Sequence, residues 1–247
     1  MGEPKAARVE KLSRTLARRG VLHLREAASL LGVSEMTIRR DIAANRDQFA
    51  YLGGHIVSAA DVAGGEGYVF DQEADSHAEA KAAACQHAIA LIAPEDTIFL
   101  DCGTTVAHLA EKLPDDFPLT VICYALNVAN RLAAKPNVRM VLLGGLYHAS
   151  SASFAGQEAV ETLGRFGINK AFISAGGVDA ARGVSCSHFH EVAIKKGALA
   201  AALESYLVID RSKIGRIRPA FFAALSDFRA LISEDGLTWF DGGCDGA

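Results

Sequence analysis

Residues 24–42, LREAASLLGVSEMTIRRDI, spell two short helices joined by a tight turn, with arginines on the second. Leu24, Ala27, Ala28, Leu30 and Leu31 recur at helical spacing and make one apolar stripe, which Gly32 ends by taking a conformation that a Cβ penalises. Ala28 is small enough to let the next helix approach, Val33 fills the corner, and Ser34 offers an oxygen to the free N–H groups that open the second helix. On that helix Met36, Ile38 and Ile42 are expected to face inward. Ser34, Glu35, Thr37, Arg39 and Arg40 then point outward or lie on the flank, where they can meet base edges and phosphates in a major groove. A solvated amphipathic helix shares each of these features singly, but together they read as a helix-turn-helix.

Charge follows the same division. The chain carries a formal net charge of -4, yet residues 1–46 hold ten Lys or Arg against five Asp or Glu, and the remainder is acidic. Phosphate contact needs local positive potential, because binding is driven by counterion release where the surfaces meet. Before the motif, residues 8–19 read as a helix with Val9, Leu12 and Leu16 inward, and with Arg8, Lys11, Arg14, Arg18 and Arg19 solvated or phosphate-facing. After it, Tyr51 to Val57 places apolar residues on either side of Gly53-Gly54, the pattern of a hairpin. That hairpin is either a wing that touches DNA or a cover for the helical core.

Residues 8–58, above all VSEMTIRRD from Val33 to Asp41, resemble the N-terminal winged helix-turn-helix of the DeoR family of bacterial sugar-responsive repressors. The resemblance implies operator DNA as partner. One recognition helix touches few base pairs, so a homo-oligomer reading paired half-sites is expected.

At 247 residues and half hydrophobic, the chain suits one small and one medium domain. The charged start and the lack of a long apolar run point away from a signal peptide or a membrane partner, and toward a cytoplasmic location. Cys85, Cys102, Cys123, Cys186 and Cys244 are odd in number and widely spaced, so they are read as reduced, mostly buried thiols; Cys102 is a core filler before it is a nucleophile. Residues 47–80 lack Lys and Arg and include Gly64-Gly65-Glu66-Gly67. The expected division is therefore a DNA-binding domain at 1–60, a linker at 61–80, an α/β sensor at 81–236 and a tail at 237–247.

In the second domain, short β-branched or aromatic runs (97–100, 119–122, 138–143, 171–173, 206–209) alternate with helical stretches (105–113, 126–134, 188–203). Such alternation implies a mainly parallel sheet with helices on both faces, whose ligands bind beyond the carboxyl ends of the strands. Asp101-Cys102-Gly103-Thr104-Thr105 follows a strand and opens a helix, so it is either a plain helix cap or a phosphate cradle, with Asp101 accepting hydrogen bonds from sugar hydroxyls or backbone. Further candidates at strand ends are Tyr124, Asn127, Gly145, Gly176 and Lys213, the last supplying positive charge. Glu191 and Lys195 are one helical turn apart and read as a surface ion pair or as ligand contacts. His188 and His190 are badly spaced for chelation, so no metal and no cofactor is expected.

DCGTT, CYALN, the run from Gly144 to Ser150, and DRSKIG followed by Arg218-Pro219-Ala220 resemble the sensor domain of the same family, which shares its fold with ribose-5-phosphate isomerases and CoA transferases. The spellings are most similar to the branch controlling deoxyribonucleoside catabolism, which implies a phosphorylated sugar effector, deoxyribose 5-phosphate. Asp210, Ser212 and Lys213 match an isomerase motif and Glu191 its helix-borne glutamate. The glycine-rich lysine loop that positions the sugar is missing, since residues 183–190 hold one glycine and no lysine. Proton transfer between sugar carbons is sensitive to small geometric losses. A binding pocket is therefore expected in place of an enzyme; the alternative is an isomerase with a regulatory DNA-binding head.

Overall fold

The computed structural model describes residues 4–19, 21–52, 55–59 and 77–240. The N-terminal part runs α1 (Lys5–Arg19), β1 (Val21–His23), α2 (Leu24–Leu31), α3 (Glu35–Ala43), β2 (Phe49–Leu52) and β3 (His55–Ser58). Gly32 caps α2 at φ 63° and returns its N–H to Ala28 and Ser29, while the Ser34 hydroxyl accepts from Thr37 N–H to open α3. Leu12, Leu16, Leu24, Ala27, Leu31, Ile38, Ile42, Phe49 and Ile56 form the core of this part.

Three side chains depart from the expected pattern. Met36 is 64% exposed and Leu30 41%, because the α2–α3 crossing uses a narrower stripe than their spacing allows. Arg8 is neither solvated nor phosphate-facing: its guanidinium grips the carboxylate of buried Asp41 at 2.8–3.1 Å and ties α1 to α3. The hairpin strands β2 and β3 pair as expected, and β1 adds a third strand on β3. The Gly53-Gly54 turn lies outside the described residues.

The second part contains α4 (Ala78–Ile89), β4 (Thr97–Leu100), α5 (Thr104–Lys112), β5 (Leu119–Cys123), α6 (Leu126–Leu132), β6 (Val138–Leu142), β7 (Leu146–His148), β8 (Ser153–Ala155), α7 (Gln157–Leu163) and β9 (Ile168–Ile173). It continues with β10 (Gly177–Asp179), β11 (Gly183–Cys186), α8 (Val192–Ala201), β12 (Ala202–Val208), β13 (Ala220–Ala223), β14 (Ala230–Ser233) and β15 (Gly236–Trp239). A seven-stranded sheet takes the order β15-β14-β12-β9-β4-β5-β6, parallel except for β15. Its inner strands are buried on both faces, which is why they read as apolar runs rather than alternations. A small antiparallel sheet, β10-β11-β13, and the β7–β8 hairpin close over the carboxyl ends.

The expected boundaries shift. The helix at 78 starts inside the expected linker, whose residues 61–76 lie outside the described residues. Residues 237–239 pair with β14 and belong to the sheet instead of a tail. The helix expected over 188–203 begins in earnest at Val192 and ends at Ala201, where Ala202 turns into β12 beside Ile168.

Among the described residues, contacts between the two parts include an apolar one and an ion pair. Ala50 of β2 packs with Phe221 against Ile217, and the Arg182 guanidinium meets Glu26 of α2 at 2.6 Å.

Candidate functional site

The first candidate surface is α3. Arg39 and Arg40 are exposed, and Ser34 lies at the exposed N-terminus of the helix. Ser34 and Thr37 exchange a hydroxyl hydrogen bond at 3.0 Å, and Glu35 pairs loosely with Arg25 at 3.4 Å. Arg39 is held in place: its guanidinium lies 4.6 Å from the centre of the Tyr51 ring and donates to the Tyr51 hydroxyl at 2.9 Å. The wing strand thus orients one of the two outward arginines, while Arg40 is exposed at the surface.

The second candidate lies at the carboxyl ends of β4, β9 and β12. A small cavity of about 40 Å³ is lined by Thr104 and Thr105 at the start of α5, Ala175 and Gly176 after β9, Glu191 and Lys195, and Lys213 and Arg218. The leading N–H groups of α5 have no partner within the helix, so they favour an anion, and Lys213 and Arg218 lie on the same cavity. Gly103 caps α5 without a side chain; a Cβ there would stand 2.2 Å from Ser174 Oγ.

Beneath the cavity is a buried polar cluster. Asp101, fully buried, accepts from the Tyr124 hydroxyl at 2.6 Å, from Ser174 N–H at 2.7 Å and Oγ at 2.6 Å, and from the Lys195 ammonium. Burial opposes its charge, but Lys195 and these hydrogen bonds outweigh burial and hold the carboxyl below the usual range. Lys195 also donates to Ser174 O at 3.1 Å and lies 3.6 Å from Glu191. Burial pulls its amine down, yet the Asp101 carboxylate beside it pushes it up further, so it stays charged. Glu191 lacks such compensation: burial lifts its carboxyl to about 7, with Lys195 opposing and Asp101 adding.

Of the sequence-expected residues, Thr104, Thr105, Gly176, Glu191 and Lys213 converge on the cavity, with Gly103 at its edge. Asp101 and Tyr124 lie below it and hydrogen-bond each other, and Asp101 also accepts from backbone at Ser174, one of its two expected roles. Asn127 donates to Cys102 O at 3.2 Å, and its buried Oδ1 has no hydrogen-bond partner. Gly145 faces Ala155 O across the hairpin, away from the lining residues. The surface-pair reading of Glu191 and Lys195 is wrong: both are buried, because α8 turns this face onto the sheet. Burial pushes the Cys102 and Cys186 thiols up, which keeps both protonated and inert.

Sequence reasoning missed Ser151, Ser174, Cys186, Ser187 and Arg218 on the cavity. Ser151 shares a hydrogen bond with His190 Nε2 at 2.9 Å, and that ring stacks on His148 at 3.7 Å. Arg218 carried a signal: it sits five residues past Lys213 in the same strand-end segment.

A winged DNA-reading head tied to an α/β body with an anion-receptive cavity defines a ligand-responsive transcription regulator. Comparison with known proteins gives the family. Residues 8–54 match the DeoR-like helix-turn-helix domain and residues 76–235 the DeoR C terminal sensor domain. The deoxyribose operon repressor of Escherichia coli (strain K12) is 38% identical over 227 residues, covering 92% of this chain and 89% of that relative. The lactose phosphotransferase system repressor of Streptococcus mutans is 34% identical, covering 93% and 92%. Among solved structures, ribose 5-phosphate isomerase A from Methanocaldococcus jannaschii aligns at a TM-score of 0.43 and 17% identity, over 56% of this chain and 55% of that one. The chain belongs to the DeoR family of transcriptional repressors.

Proposed function

We propose that the protein represses an operon for sugar or deoxyribonucleoside catabolism and leaves its operator when a phosphorylated sugar, 2-deoxyribose 5-phosphate, occupies the cavity at the strand ends. The observation that carries this reading is the convergence of Lys213, Arg218 and the opening turn of α5 on one cavity. The two cationic side chains and the helix-opening backbone N–H groups suit a phosphate, and Ser187 and Glu191 suit hydroxyls. The choice of sugar rests on the relative named for the deoxyribose operon. On the DNA side, Ser34, Glu35, Thr37, Arg39 and Arg40 supply base and phosphate contacts, and a homo-oligomer places two such helices on paired half-sites.

No turnover is expected. Lys195 is charged and neutralised by Asp101, so it offers no base or nucleophile. One observation favours the other reading, a sugar-phosphate isomerase: Glu191, with its carboxyl near 7, is poised for proton transfer.

The deciding experiment pairs a gel shift with an isomerase assay on the purified protein. Release of an operator duplex by 2-deoxyribose 5-phosphate, without conversion of it or of ribose 5-phosphate, supports the repressor. Steady conversion of either sugar supports the isomerase.

A further inference from the structure

The cavity at the strand ends holds about 40 Å³. Small-molecule sites run from roughly 300 Å³ upward, so a pentose phosphate enters only if a wall moves. Most of the walls are fixed. Gly103 at the α5 opening abuts Ser174, Lys195 is locked into the buried cluster by Asp101 and Ser174 O, and Glu191 lies beside Lys195. Of the other walls, which include Ser151 between β7 and β8 and Ser187 after β11, the segment from Lys213 to Arg218 between β12 and β13 is the one whose Ile217 packs on the DNA-reading head.

On its inner side that segment is joined to the small β10-β11-β13 sheet by a bridge between Ile214 and Val178 and by individual hydrogen bonds. Gly215 N–H donates to Val178 O at 2.8 Å and Arg218 N–H to Ser185 Oγ at 2.8 Å. The Arg218 guanidinium reaches Gly176 O at 3.4 Å, lying across a glycine whose Cβ would collide with its chain. Ile214 is half exposed. On the outer side, Ile217 is buried against Ala50 of the wing strand together with Phe221. Ala50 is the neighbour of Tyr51, which holds Arg39 of the recognition helix.

We propose that Lys213–Phe221 is the relay that converts cavity occupancy into a change at the DNA-reading head. Outward movement of Lys213 and Arg218 to admit a phosphate carries Ile217, which stands between them, off Ala50. Loss of that contact frees β2, and with it the Tyr51 grip on Arg39. A ligand shifts an equilibrium only by its differential affinity for the two states, and here the difference is stated: the closed cavity excludes it and the open one admits it. The proposal rests on the sugar-responsive repressor reading given above.

The test uses the full chain, an operator duplex selected by the wild-type protein, and 2-deoxyribose 5-phosphate. Operator affinity with and without the sugar is read by fluorescence anisotropy, and sugar affinity by calorimetry. Wild-type operator affinity is expected to fall about tenfold or more with the sugar. Ile217→Ser should bind the sugar within about twofold of wild type yet lose most of that response. A full response in a folded Ile217→Ser protein overturns the relay. Since Ile217 is buried and the variant can fail to fold, hydrogen exchange on the wild type gives a second reading. Amides of Phe49–Leu52 should exchange faster when the sugar is bound, and unchanged exchange overturns the relay. A wild type that ignores the sugar removes both the effector reading and the relay, whereas a responsive wild type with an equally responsive variant removes the relay alone.

Discussion

The Lys195 ammonium rests on the Asp101 carboxylate 94 residues away in the chain, with neither side chain open to water. Removing one member strands the other as a buried charge, which costs about 3–5 kcal/mol. Lys195→Met alone should therefore lower Tm by on the order of 10 °C, at a few degrees per kcal/mol for a chain of this size. Adding Asp101→Asn should recover part of the loss, because the double variant buries no unpaired charge. Calorimetric melting of the three proteins checks this; a single variant that melts with wild type removes the pair from the stability of the fold.

Gly103 has no room for a side chain. A Cβ there meets Ser174 Oγ at 2.2 Å and Ser174 Cβ at 2.5 Å, and Ser174 cannot swing away without giving up Asp101. Gly103→Ala should abolish sugar-phosphate binding by calorimetry while leaving operator binding close to wild type. Ser174→Gly in the same chain should restore part of the binding.

The two surfaces should fail separately. Lys213→Ala and Arg218→Ala are expected to weaken 2-deoxyribose 5-phosphate about tenfold each, the scale of one charge-assisted contact, with operator affinity unchanged. Arg40→Ala should weaken operator binding and reduce the slope of log affinity against log salt by about one, with sugar binding intact. Titrations of each variant with both ligands check this, and a variant that loses both contradicts the assignment.

The pH dependence of stability has two opposing parts. Glu191 takes up its proton at about 7 in the fold against an ordinary 4.5, so between those values the folded chain holds the extra proton and stability falls as pH rises. His190 is pushed down to about 4 by burial, with His148 and His188 adding, against an ordinary 6.5. Across about 4 to 6.5 the folded chain holds fewer protons at His190, and stability rises with pH. Glu191→Gln should remove the first part and steepen the rise of Tm between about pH 4.5 and 6.5. An unchanged Tm profile contradicts a buried, late-titrating Glu191.

The helix-turn-helix was legible because its determinants are local: Gly32 and Ser34 act on their own backbone. Met36 and Leu30 were misjudged because helical spacing leaves several residues near the edge of the apolar stripe, and only the crossing of α2 and α3 decides which are covered. The strand-end loops were legible as a class, since parallel sheets put their ligands there. The buried cluster was not. A Glu and a Lys four apart on a helix look like a solvated pair, and their burial is set by α8 packing against β9 and β13. A trace was present, for Ile194 and Ala198 flank Lys195 on the same stripe as Glu191. Ser174 and Asp101 could not be joined from sequence, because 73 residues separate them.

The position of β4 between β9 and β5 governs the order in which the chain can assemble. The head needs only nearby segments and is complete once β3 emerges from the ribosome. Asp101, at the end of β4, gains its counter-charge only after β9 has inserted beside that strand and α8 has followed, so the body closes late, around a carboxylate that stays hydrated until then. Nascent chains stalled ahead of Lys195 should therefore carry a finished reading head on an unfinished body, open to chaperones and proteases.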